Sequence, residues 1–477
     1  MEMGRRGFLK GFAMSGALAA TKSVLADAAA VAPASQGGFM TAYADKPIPK
    51  LRVGVIGLGM RGSGAVHRLA SIPGNTVVAL CDLYPKRVAA QQKWLASRKK
   101  PKAREYTGKE GWKALCESDL DLVYIVTPWA LHAPMALYAM QSGKHAVAEV
   151  PSAMSLDECW ALVETSEKTR RHCMQLENCC YGEVELLALN LVRSGILGEL
   201  VHAEGAYIHD LRQMIYQDPS KRDGYQDYWR LKWNSKHAGN CYPTHGLVPL
   251  MQAMNVNRGD RLDYLTAVAT DSKGMEGYAK LRFGPDSWQA KTPIARGDMC
   301  TAVIRTVKGR TIMIQHDVAS PRPYSRINLL SGTRGILSDY PLRIALSRKP
   351  GGQAHEWMDA KALAAFREKH CHPYWKTSGA LAKKIGGHGG MDFLMDLRLS
   401  YCLQNGLPLD MDVYDLAASC SLCELTERSV RSRGSSQDVP DFTRGGWKTA
   451  KPLGIVNVDT SKMGVIEAKK DDTQLNV

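Results

Sequence analysis

Several features that mark common protein classes are scarce in this sequence. Its 12 cysteines include two close pairs, Cys179-Cys180 and Cys420-x-x-Cys423, but neither has a second pair or a histidine at the spacing of a zinc site. We therefore expect core thiols and no metal centre. Basic residues are not interleaved with aromatic residues as on nucleic-acid-binding surfaces, and no internal repeat is visible. Nucleic acid is therefore not expected as a partner.

Residues 1–34 have the pattern of an export signal. The twin-arginine motif Gly4–Lys10 precedes the mildly apolar stretch Gly11–Leu25 and the small-residue site Ala26-Asp27-Ala28. The apolar stretch is too short, and its side chains are too small, to span a bilayer, so stable membrane insertion is not expected. The twin-arginine route exports folded proteins, which predicts a periplasmic or envelope-associated protein that carries its cofactor with it.

Length and charge set the scale of the protein. The chain has 477 residues, with 62 Lys and Arg against 47 Asp and Glu and a formal net charge of +15. About 440 residues remain after the leader, enough for two domains with sizeable cores. The positive excess indicates a solvated surface suited to acidic glycans or anionic envelopes.

The most informative stretch is the apolar run Leu51–Val55, which leads into three glycines at G-x-G-x-x-G spacing. Gly57 allows a tight turn, Gly59 lets backbone N–H groups approach a pyrophosphate, and Gly62 lets the next helix pack on the strand. Asp82 ends the following apolar run, about 20 residues beyond the motif, where a carboxylate accepts from ribose hydroxyls. The pattern predicts a nicotinamide or flavin dinucleotide. The charge of Asp82 favours NAD over NADP, although two basic residues close behind it weaken that preference.

Strand-like and helix-like segments alternate from Leu51 to Asn178. This alternation predicts a doubly wound parallel sheet, a Rossmann domain over residues 48–178, with its ligand at the carboxyl ends of the strands. The predicted strands are Leu51–Ile56, Thr76–Cys81, Asp121–Val126, His145–Val150 and Cys173–Glu177. The predicted helices are Gly62–Ser71, Pro85–Arg98, Ala133–Ser142 and Leu156–Thr169.

The pattern changes at about Cys179. Residues 179–440 predict a second, α+β domain whose sheet is largely antiparallel and covered by helices on one face. Its predicted strands are Leu200–His209, Tyr264–Thr270, Thr301–Val307, Thr311–His316 and Ile327–Ser331, and its longer helices are Glu183–Ser194, Phe393–Cys402 and Val413–Arg431. Residues 441–477 are polar and predict a tail that lies along the surface.

Glu149-x-Pro151 follows one predicted Rossmann strand, and Glu177-Asn178 ends the next. A Rossmann domain with this Glu-x-Pro, followed by a sheet domain, resembles the Gfo/Idh/MocA oxidoreductase superfamily. Within it, four runs resemble the NAD-dependent α-N-acetylgalactosaminidases of glycoside hydrolase family 109: HAPMALYAMQSGKHA, RRHCMQLENCCYGEVE, AEGAYIHDLR and GNCYPTHGLVP. The resemblance extends from about residue 48 to beyond residue 400, together with the twin-arginine leader.

The resemblance implies roles for residues in both domains. Met60 and Arg61 would bind the pyrophosphate of NAD, and Asp82 the ribose. The nicotinamide half would be lined by residues at the strand ends: Trp129, His132, Glu149, Val150 and Asn178. The sugar would be bound by side chains that suit the apolar faces and polar rim of a pyranose: Tyr207, Arg230, Tyr242, Pro243, Thr244, His245 and Tyr324. The expected substrate is a glycan that ends in N-acetylhexosamine. The resemblance is also compatible with a homo-oligomer.

Two positions depart from the family pattern. Val150 stands where many superfamily dehydrogenases have the lysine of Glu-Lys-Pro, which would assist alcohol oxidation, and this change favours the hydrolase branch. Ala130-Leu131 stands where the hydrolases usually have the Glu-Trp of Trp-Glu-Trp-His. The second departure removes an acid and an indole next to the expected nicotinamide, so the substrate and the anomer accepted can differ from those of the family.

The resemblance further implies that NAD is a recycled catalyst. Oxidation of the sugar at C3 would make the C2 proton acidic; a base would remove that proton, the aglycone would leave by elimination, water would add, and C3 would be reduced again. Such enzymes are exceptions to the two-carboxylate scheme of glycosidases. His245, at the start of the predicted helix His245–Met254, is the first candidate for the base because imidazole titrates near working pH; Tyr242 and Tyr181 are its rivals. A net sugar or inositol dehydrogenase and a catalytically inactive glycan-binding protein are the alternatives.

Overall fold

The computed structural model describes residues 38–221, 224–347, 349 and 351–459. The predicted leader, residues 1–34, and residues 460–477 of the predicted tail lie outside the described residues. Within the described part, no helix combines the length and the apolar character needed to cross a bilayer. These residues form two sheets, each with helices packed on it.

The first sheet is parallel. Its strands are β1 (Leu51–Ile56), β2 (Asn75–Asp82), β3 (Arg104–Thr107), β4 (Leu122–Ile125), β5 (His145–Ala148) and β6 (Cys173–Gln175), in the order β3-β2-β1-β4-β5-β6. Its helices are α1 (Met60–Ser71), α2 (Pro85–Ser97), α3 (Gly111–Glu117), α4 (His132–Gln141) and α5 (Leu156–Thr169). The strand order reverses between β1 and β4, and the carboxyl ends of strands at such a point form a ligand crevice. The predicted Rossmann sheet is confirmed.

Two short elements of this sheet are not among the predicted ones. β3 is a four-residue edge strand, REYT, with three of its four residues exposed. Because the strand is polar and has no buried face, it carries no apolar alternation that a sequence pattern could show. α3 has only seven residues and buries only Leu115 and Cys116.

The second sheet is mixed and largely antiparallel, as predicted. Its strands are β7 (Leu200–Ile208), β8 (Leu262–Ala269), β9 (Met299–Thr306), β10 (Thr311–Asp317), β11 (Leu329–Gly332), β12 (Gly335–Ser338), β13 (Arg343–Leu346) and β14 (Gln437–Asp438). Their order is β13-β12-β11-β7-β10-β9-β8-β14, and only the β7–β10 pair is parallel among the described strands of this sheet. The short strands β12, β13 and β14 were not predicted.

Helices cover one face of the second sheet and extend beyond it. Their bounds are α6 (Glu183–Arg193), α7 (Arg212–Tyr216), α8 (Trp229–Asn234), α9 (Thr244–Ala253), α10 (Gly274–Phe283), α11 (Trp288–Lys291), α12 (Ala360–His370), α13 (Pro373–Ile385), α14 (Met391–Asn405) and α15 (Val413–Arg431). α9 and α15 lie on the inner face of the sheet, where they bury alternate residues of its strands, including Ala203, Ile304 and Ile312.

Two glycines bring α9 against β7. A Cβ on Gly205 would collide with the backbone of Gly246, and one on Gly246 would collide with the backbone of Ala206. Only glycine lets helix and strand approach this closely. The approach places His245, in the first turn of α9, beside Tyr207 near the end of β7.

The chain returns to the Rossmann sheet through α14. Asp396 on α14 accepts hydrogen bonds from Arg68 of α1 at 2.7 Å and from the Tyr124 hydroxyl of β4 at 2.8 Å. All three groups are buried. The start of α14 and the loop before it therefore lie next to the glycine-rich turn, with Asp392 of the helix and His388 of the loop close to Arg61.

The described part of the predicted tail packs onto the fold. Phe442 and Trp447 are buried, and Phe442 lies against Trp160 of α5 with ring centroids 4.7 Å apart. Val456 and Val458 are also buried. This segment therefore covers apolar surface, although its polar composition alone does not show it.

Candidate active site

The glycine-rich turn has the geometry that a dinucleotide needs. Gly57 has φ +89°, a left-handed conformation that L side chains rarely adopt. A Cβ on Gly62 would collide with the carbonyl oxygen of Gly57. A Cβ on Gly59 would meet only the Arg87 guanidinium, 3.6 Å away, so the space in front of Gly59 is open. The first and third glycines thus serve the turn and the packing, and the second leaves room for a ligand.

The same turn offers donors for an anion. α1 starts at Met60, and its N-cap is Gly59, which has no side chain that could accept from the first-turn N–H groups. These N–H groups and the positive end of the helix dipole favour a phosphate at this position. The structure therefore fits a pyrophosphate group against the start of α1.

The Arg61 side chain has other partners. Its Nη2 donates to Glu149 Oε1 at 2.7 Å, and its Nη1 lies 2.9 Å from His388 Nδ1 and 3.2 Å from Asp392 Oδ2. The guanidinium is thus directed toward acidic groups, and the predicted role of Arg61 at the pyrophosphate stays a prediction. The charge of Arg61 instead holds Glu149 at the strand end.

Asp82 is fixed at the end of β2. Its Oδ2 accepts from the Leu58 N–H at 2.7 Å and its Oδ1 from the Tyr84 N–H at 2.9 Å, and Arg87 lies 3.5 Å from Oδ1. Asp82 thus braces the glycine-rich turn as well as lining the cavity at the position of a ribose-binding carboxylate.

A single cavity of about 1120 Å³ connects this turn to the second sheet. It is lined by most of the residues predicted for cofactor and sugar: Gly57, Gly59, Met60, Arg61, Asp82, Trp129, His132, Glu149, Val150, Tyr207, Arg230, Tyr242 and His245. The structure thus brings together residues separated by almost 190 positions in the chain, from Gly57 to His245. Leu131, one of the two family departures, also lines the cavity and is 43% exposed at its mouth.

One wall of the cavity is aromatic and contains a buried cation. The Arg230 guanidinium lies 4.9 Å from the Trp129 ring and 5.4 Å from the Tyr242 ring, and its Nη1 donates to the Tyr225 hydroxyl at 2.9 Å. Its Nε and Nη2 are buried without a hydrogen-bond partner among the described residues. A buried cation with unused donors is costly unless a ligand satisfies them. Arg230 is therefore suited to bind polar atoms of a sugar beside the indole of Trp129.

A histidine–carboxylate pair lies next to this wall, and the Tyr242 ring contacts both Arg230 and His245. His245 Nδ1 lies 2.7 Å from Glu177 Oε1, and His245 Nε2 lies 3.4 Å from the Tyr242 hydroxyl. Glu177 is fully buried, and its Oε1 also accepts from the Cys179 N–H at 3.1 Å. Burial alone would raise the pKa of Glu177, but the charge and hydrogen bond of His245 lower it below its usual value. Glu177 is therefore a carboxylate that orients His245.

Burial and position also distinguish His245 from the other two candidate bases, Tyr242 and Tyr181. Burial raises the pKa of the Tyr242 hydroxyl well above its usual value, and Tyr207 and Glu149 raise it further. Tyr242 is therefore a phenol that can donate but has little capacity to accept a proton near neutral pH. Tyr181 lies outside the cavity lining: its hydroxyl donates to Asp410 Oδ2 at 3.0 Å, and burial raises its pKa too. The geometry favours His245 over both rivals.

Several predicted residues do not line the cavity. Asn178 donates to Asp392 Oδ1 at 2.6 Å, and the Tyr324 hydroxyl accepts from Arg326 at 3.1 Å. Pro243 and Thr244 form the start of α9, which begins one residue earlier than predicted. These four residues support their neighbours: Asn178 lies behind Asp392, Tyr324 packs edge-on against Tyr207 at 6.3 Å, and the other two present His245.

His132 lines the cavity only from behind. Its Nδ1 lies 2.7 Å from the Pro151 carbonyl and its Nε2 2.6 Å from the Thr127 carbonyl. Both ring nitrogens thus face backbone carbonyl oxygens, and because burial lowers the pKa of His132, the neutral ring donates to one of the two. The predicted cofactor-binding residue His132 therefore ties the ends of two strands together beneath the cavity floor.

Three polar residues of this region were given no role in the sequence prediction: His209 and His388, which line the cavity, and Glu177, which lies behind its lining. Glu177 is discussed above, and His209 Nδ1 lies 3.0 Å from the Tyr207 hydroxyl. Burial, together with the charge of Arg230, lowers the pKa of His209 to about 4, so His209 is neutral at working pH. His388 lies 2.9 Å from Arg61 at the rim. Glu177 directly precedes the predicted Asn178, so a strand-end carboxylate was the available signal; the other two had none beyond their residue type.

Three donor groups of this site lie close enough to hold a metal ion: those of Glu177, Cys179 and His245 lie within 4.8 Å of one another. Glu177 and His245 are already joined by a short hydrogen bond. We therefore describe them as a hydrogen-bonded pair.

Comparison with known proteins shows the family of the chain. The model of the glycosyl hydrolase 109 C-terminal domain matches residues 181–449, and that of the NAD-binding Rossmann fold of the oxidoreductase family GFO_IDH_MocA matches residues 51–176. A glycosyl hydrolase family 109 protein of Shewanella pealeana is 46% identical over 462 residues, covering 96% of this chain and all of that protein. The chain belongs to glycosyl hydrolase family 109. The resemblance found in the sequence is thus confirmed, and the protein is an enzyme of a glycosidase family.

Other relatives extend the comparison. A Bacteroides fragilis protein named alpha-N-acetylgalactosaminidase is 46% identical over 407 residues, covering 85% of this chain and 95% of that protein. Among solved structures, an NAD-binding oxidoreductase from Klebsiella pneumoniae aligns with TM-score 0.62 and 17% identity over 82% of this chain and all of that one. A levoglucosan dehydrogenase in complex with NADH and levoglucosan aligns with TM-score 0.59 and 16% identity over the same shares. These structures share the fold of the family 109 chain.

Proposed function

We propose that this family 109 enzyme removes terminal N-acetylgalactosamine from glycans, with a tightly held NAD that is regenerated in each turnover. The observation that carries the proposal is the single cavity that joins the Gly57–Arg61 turn to the aromatic and histidine walls around Arg230 and His245. A nucleotide on the turn and a sugar on the walls would share this space. The Bacteroides fragilis relative supports the choice of sugar.

Residues of the first sheet would hold the cofactor. The start of α1 would hold the pyrophosphate, Asp82 would accept from a ribose hydroxyl, and Glu149 and Val150 would border the nicotinamide half. NAD⁺ bound there would supply the oxidising power for C3 of the sugar and return the hydride at the end of the cycle. Glu149 is kept in place by Arg61 through the 2.7 Å ion pair.

Residues of the second sheet would bind the sugar and move protons. Arg230 would donate its free Nε and Nη2 hydrogens to polar atoms of the sugar, and Trp129 would border an apolar face. His245 Nε2 would take the C2 proton once C3 is at the ketone level, which lets the aglycone leave C1 by elimination. The protonated imidazole would then return that proton after water adds. Tyr242, 3.4 Å from Nε2, is placed to donate a hydrogen bond to the sugar or to the leaving oxygen.

Export to the envelope is part of the proposal. The twin-arginine pattern of residues 1–34 supports export of a folded enzyme, and an exported enzyme has no supply of free NAD. The nucleotide should therefore remain bound through many turnovers. A periplasmic or envelope-associated glycosidase of this kind would meet its glycan substrate outside the cytoplasm.

The test is incubation with an aryl α-N-acetylgalactosaminide without added NAD. Free phenol with an unchanged total of bound nucleotide supports the proposal. One equivalent of NADH without phenol would favour a net sugar dehydrogenase, for which the NAD-binding folds of the solved structures are the supporting observation. Neither product would favour a glycan-binding protein that lacks catalysis.

A further inference from the structure

We propose that Glu177 is a positioning residue that fixes His245 in the Nδ1–H tautomer and so leaves Nε2 free as the base toward the cavity. The proposal rests on the proposed function for its kinetic consequence, since the base acts on the sugar of that reaction. Its structural consequence, the tautomer, can be measured independently of activity.

The hydrogen bond itself decides the tautomer. A carboxylate only accepts hydrogen bonds, so the 2.7 Å contact between Glu177 Oε1 and His245 Nδ1 requires a proton on Nδ1. A neutral imidazole has one N–H, which leaves the lone pair on Nε2. Nε2 is on the side of Tyr242 and the cavity. Free imidazole side chains prefer the opposite tautomer, so an imposed preference is measurable.

The surroundings make Glu177 the anion for this histidine. The other titratable groups close to His245 are the hydroxyls of Tyr207 and Tyr242, the His209 ring and the Cys179 thiol. Burial raises the pKa of both phenols and of the thiol and lowers that of His209, so all four are neutral near pH 7. Among these described neighbours, Glu177 alone carries negative charge, and it stabilises the imidazolium that forms when Nε2 takes a proton.

Burying the Glu177 carboxylate costs folding free energy, and packing alone gives no reason for a charged group at this position. Its side chain is fully buried, and its Oε2 has no described partner at good hydrogen-bond geometry, the Thr244 hydroxyl being the polar group that approaches the carboxylate. A half-satisfied buried carboxylate is unfavourable compared with an apolar side chain of similar size. Such a group directly behind His245, which lines the cavity, fits a role in the chemistry of the site.

Three variants separate orientation from charge. Glu177→Gln keeps a carbonyl oxygen that can accept from His245 and from the Cys179 N–H, but it removes the charge. Glu177→Ala removes both. Glu167→Gln is the matched control, because Glu167 is equally buried and accepts from Tyr414 and Arg444 at 2.7 Å, neither of which lines the cavity, whereas His245, the partner of Glu177, does.

The kinetic test measures kcat and KM of the full chain as isolated with its nucleotide. We expect kcat to fall about 10-fold in Glu177→Gln and about 100-fold in Glu177→Ala, with KM nearly unchanged and Glu167→Gln like wild type per folded molecule. Adding Glu177→Ala to His245→Ala should cost nothing further, because Glu177 acts through His245. Independent, multiplying losses in the double variant would overturn the proposal.

The closing experiment reads the tautomer directly. The ring nitrogens of all histidines are labelled with ¹⁵N, and the His245 signals are identified by their loss in His245→Ala. At alkaline pH we expect a protonated Nδ1 and a bare Nε2 in wild type and Glu177→Gln, and a shift to protonated Nε2 in Glu177→Ala. A protonated Nε2 in wild type, or no change in Glu177→Ala, would overturn the proposal. If wild type showed no glycosidase activity, the proposed function would fail, while the tautomer would still decide the role of Glu177.

Discussion

Gly59, Gly62 and Gly64, at and just inside the start of α1, allow the nucleotide site to be tested separately from the fold. The perturbation is a single methyl group, placed at Gly59, Gly62 or Gly64 in turn. At Gly62 the new Cβ would collide with the Gly57 carbonyl oxygen, which cannot move without opening the turn. We therefore expect Gly62→Ala to lower the free energy of unfolding by about 3 kcal/mol.

Gly59→Ala should behave differently. Gly59 has φ −77°, outside the left-handed region, and its Cβ would have the nearest protein atom 3.6 Å away. Only the loss of a good N-cap residue weighs against it, so stability should change by no more than about 1 kcal/mol. The methyl group would nevertheless occupy the space in which we place the pyrophosphate. Nucleotide affinity should therefore fall at least tenfold, which corresponds to about 1.4 kcal/mol.

Gly64→Ala is the matched control. Its Cβ would lie 3.3 Å from Nη1 of the buried, ion-paired Arg68, which must shift slightly, and Gly64 does not line the cavity. Alanine is the better helix former by up to about 1 kcal/mol, which offsets this close contact. The assay is the NAD(H) released on denaturation per chain, with thermal unfolding of the same samples. Full nucleotide content in Gly59→Ala, or equal losses in Gly59→Ala and Gly64→Ala, would refute the assignment of the turn.

Three further predictions concern the catalytic residues and pH. His245→Ala should keep fold and nucleotide while turnover falls about 10²–10⁴-fold; near-normal turnover would remove His245 from the chemistry. Tyr181→Phe should lower the free energy of unfolding by about 1 kcal/mol, because the hydrogen bond to Asp410 is lost, and should leave kcat unchanged. Tyr242→Phe should lower kcat. A larger loss of kcat in Tyr181→Phe than in Tyr242→Phe would contradict the site. Burial lowers the pKa of His145 from 6.5 to about 4. Between pH 6.5 and pH 4 the His145 imidazole is therefore protonated in the unfolded chain but neutral in the folded chain. The free energy of unfolding should fall by about 3 kcal/mol from His145 alone as the pH drops to 4. Denaturant titrations of His145→Gln should show a flatter fall, and an unchanged slope would contradict this origin.

The predictable parts of the fold are those with local signals. The glycine turn, Asp82 and the buried strands follow from short-range chemistry, because turn geometry and apolar runs are visible within a few residues. β3 and β14 are short and polar, with no buried face of their own, so the pairing of neighbouring strands rather than their own pattern specifies them.

The sequence predicted many residues of the site but not which side chains contact each other. Sequence reasoning identified His245, Tyr242 and Arg230, yet the partner of His245 is Glu177, which lies 68 positions earlier. Arg61 was expected at the pyrophosphate, but its guanidinium contacts Glu149 and also Asp392, which lies 331 positions later. Tyr181 was expected near the sugar, but Asp410 draws its hydroxyl into the core. Such long-range contacts depend on how α14 and α9 pack, and no local pattern encodes them.

The central claim is that glycosidic cleavage passes through removal of the C2 proton by a base in this cavity. The most direct measurement is hydrolysis of an aryl α-N-acetylgalactosaminide in D₂O, with analysis of the released sugar by NMR. Because His245 borders a cavity of about 1120 Å³, its proton should exchange with solvent before it returns, and deuterium should appear at C2. A released sugar with its original hydrogen at C2 would contradict the account.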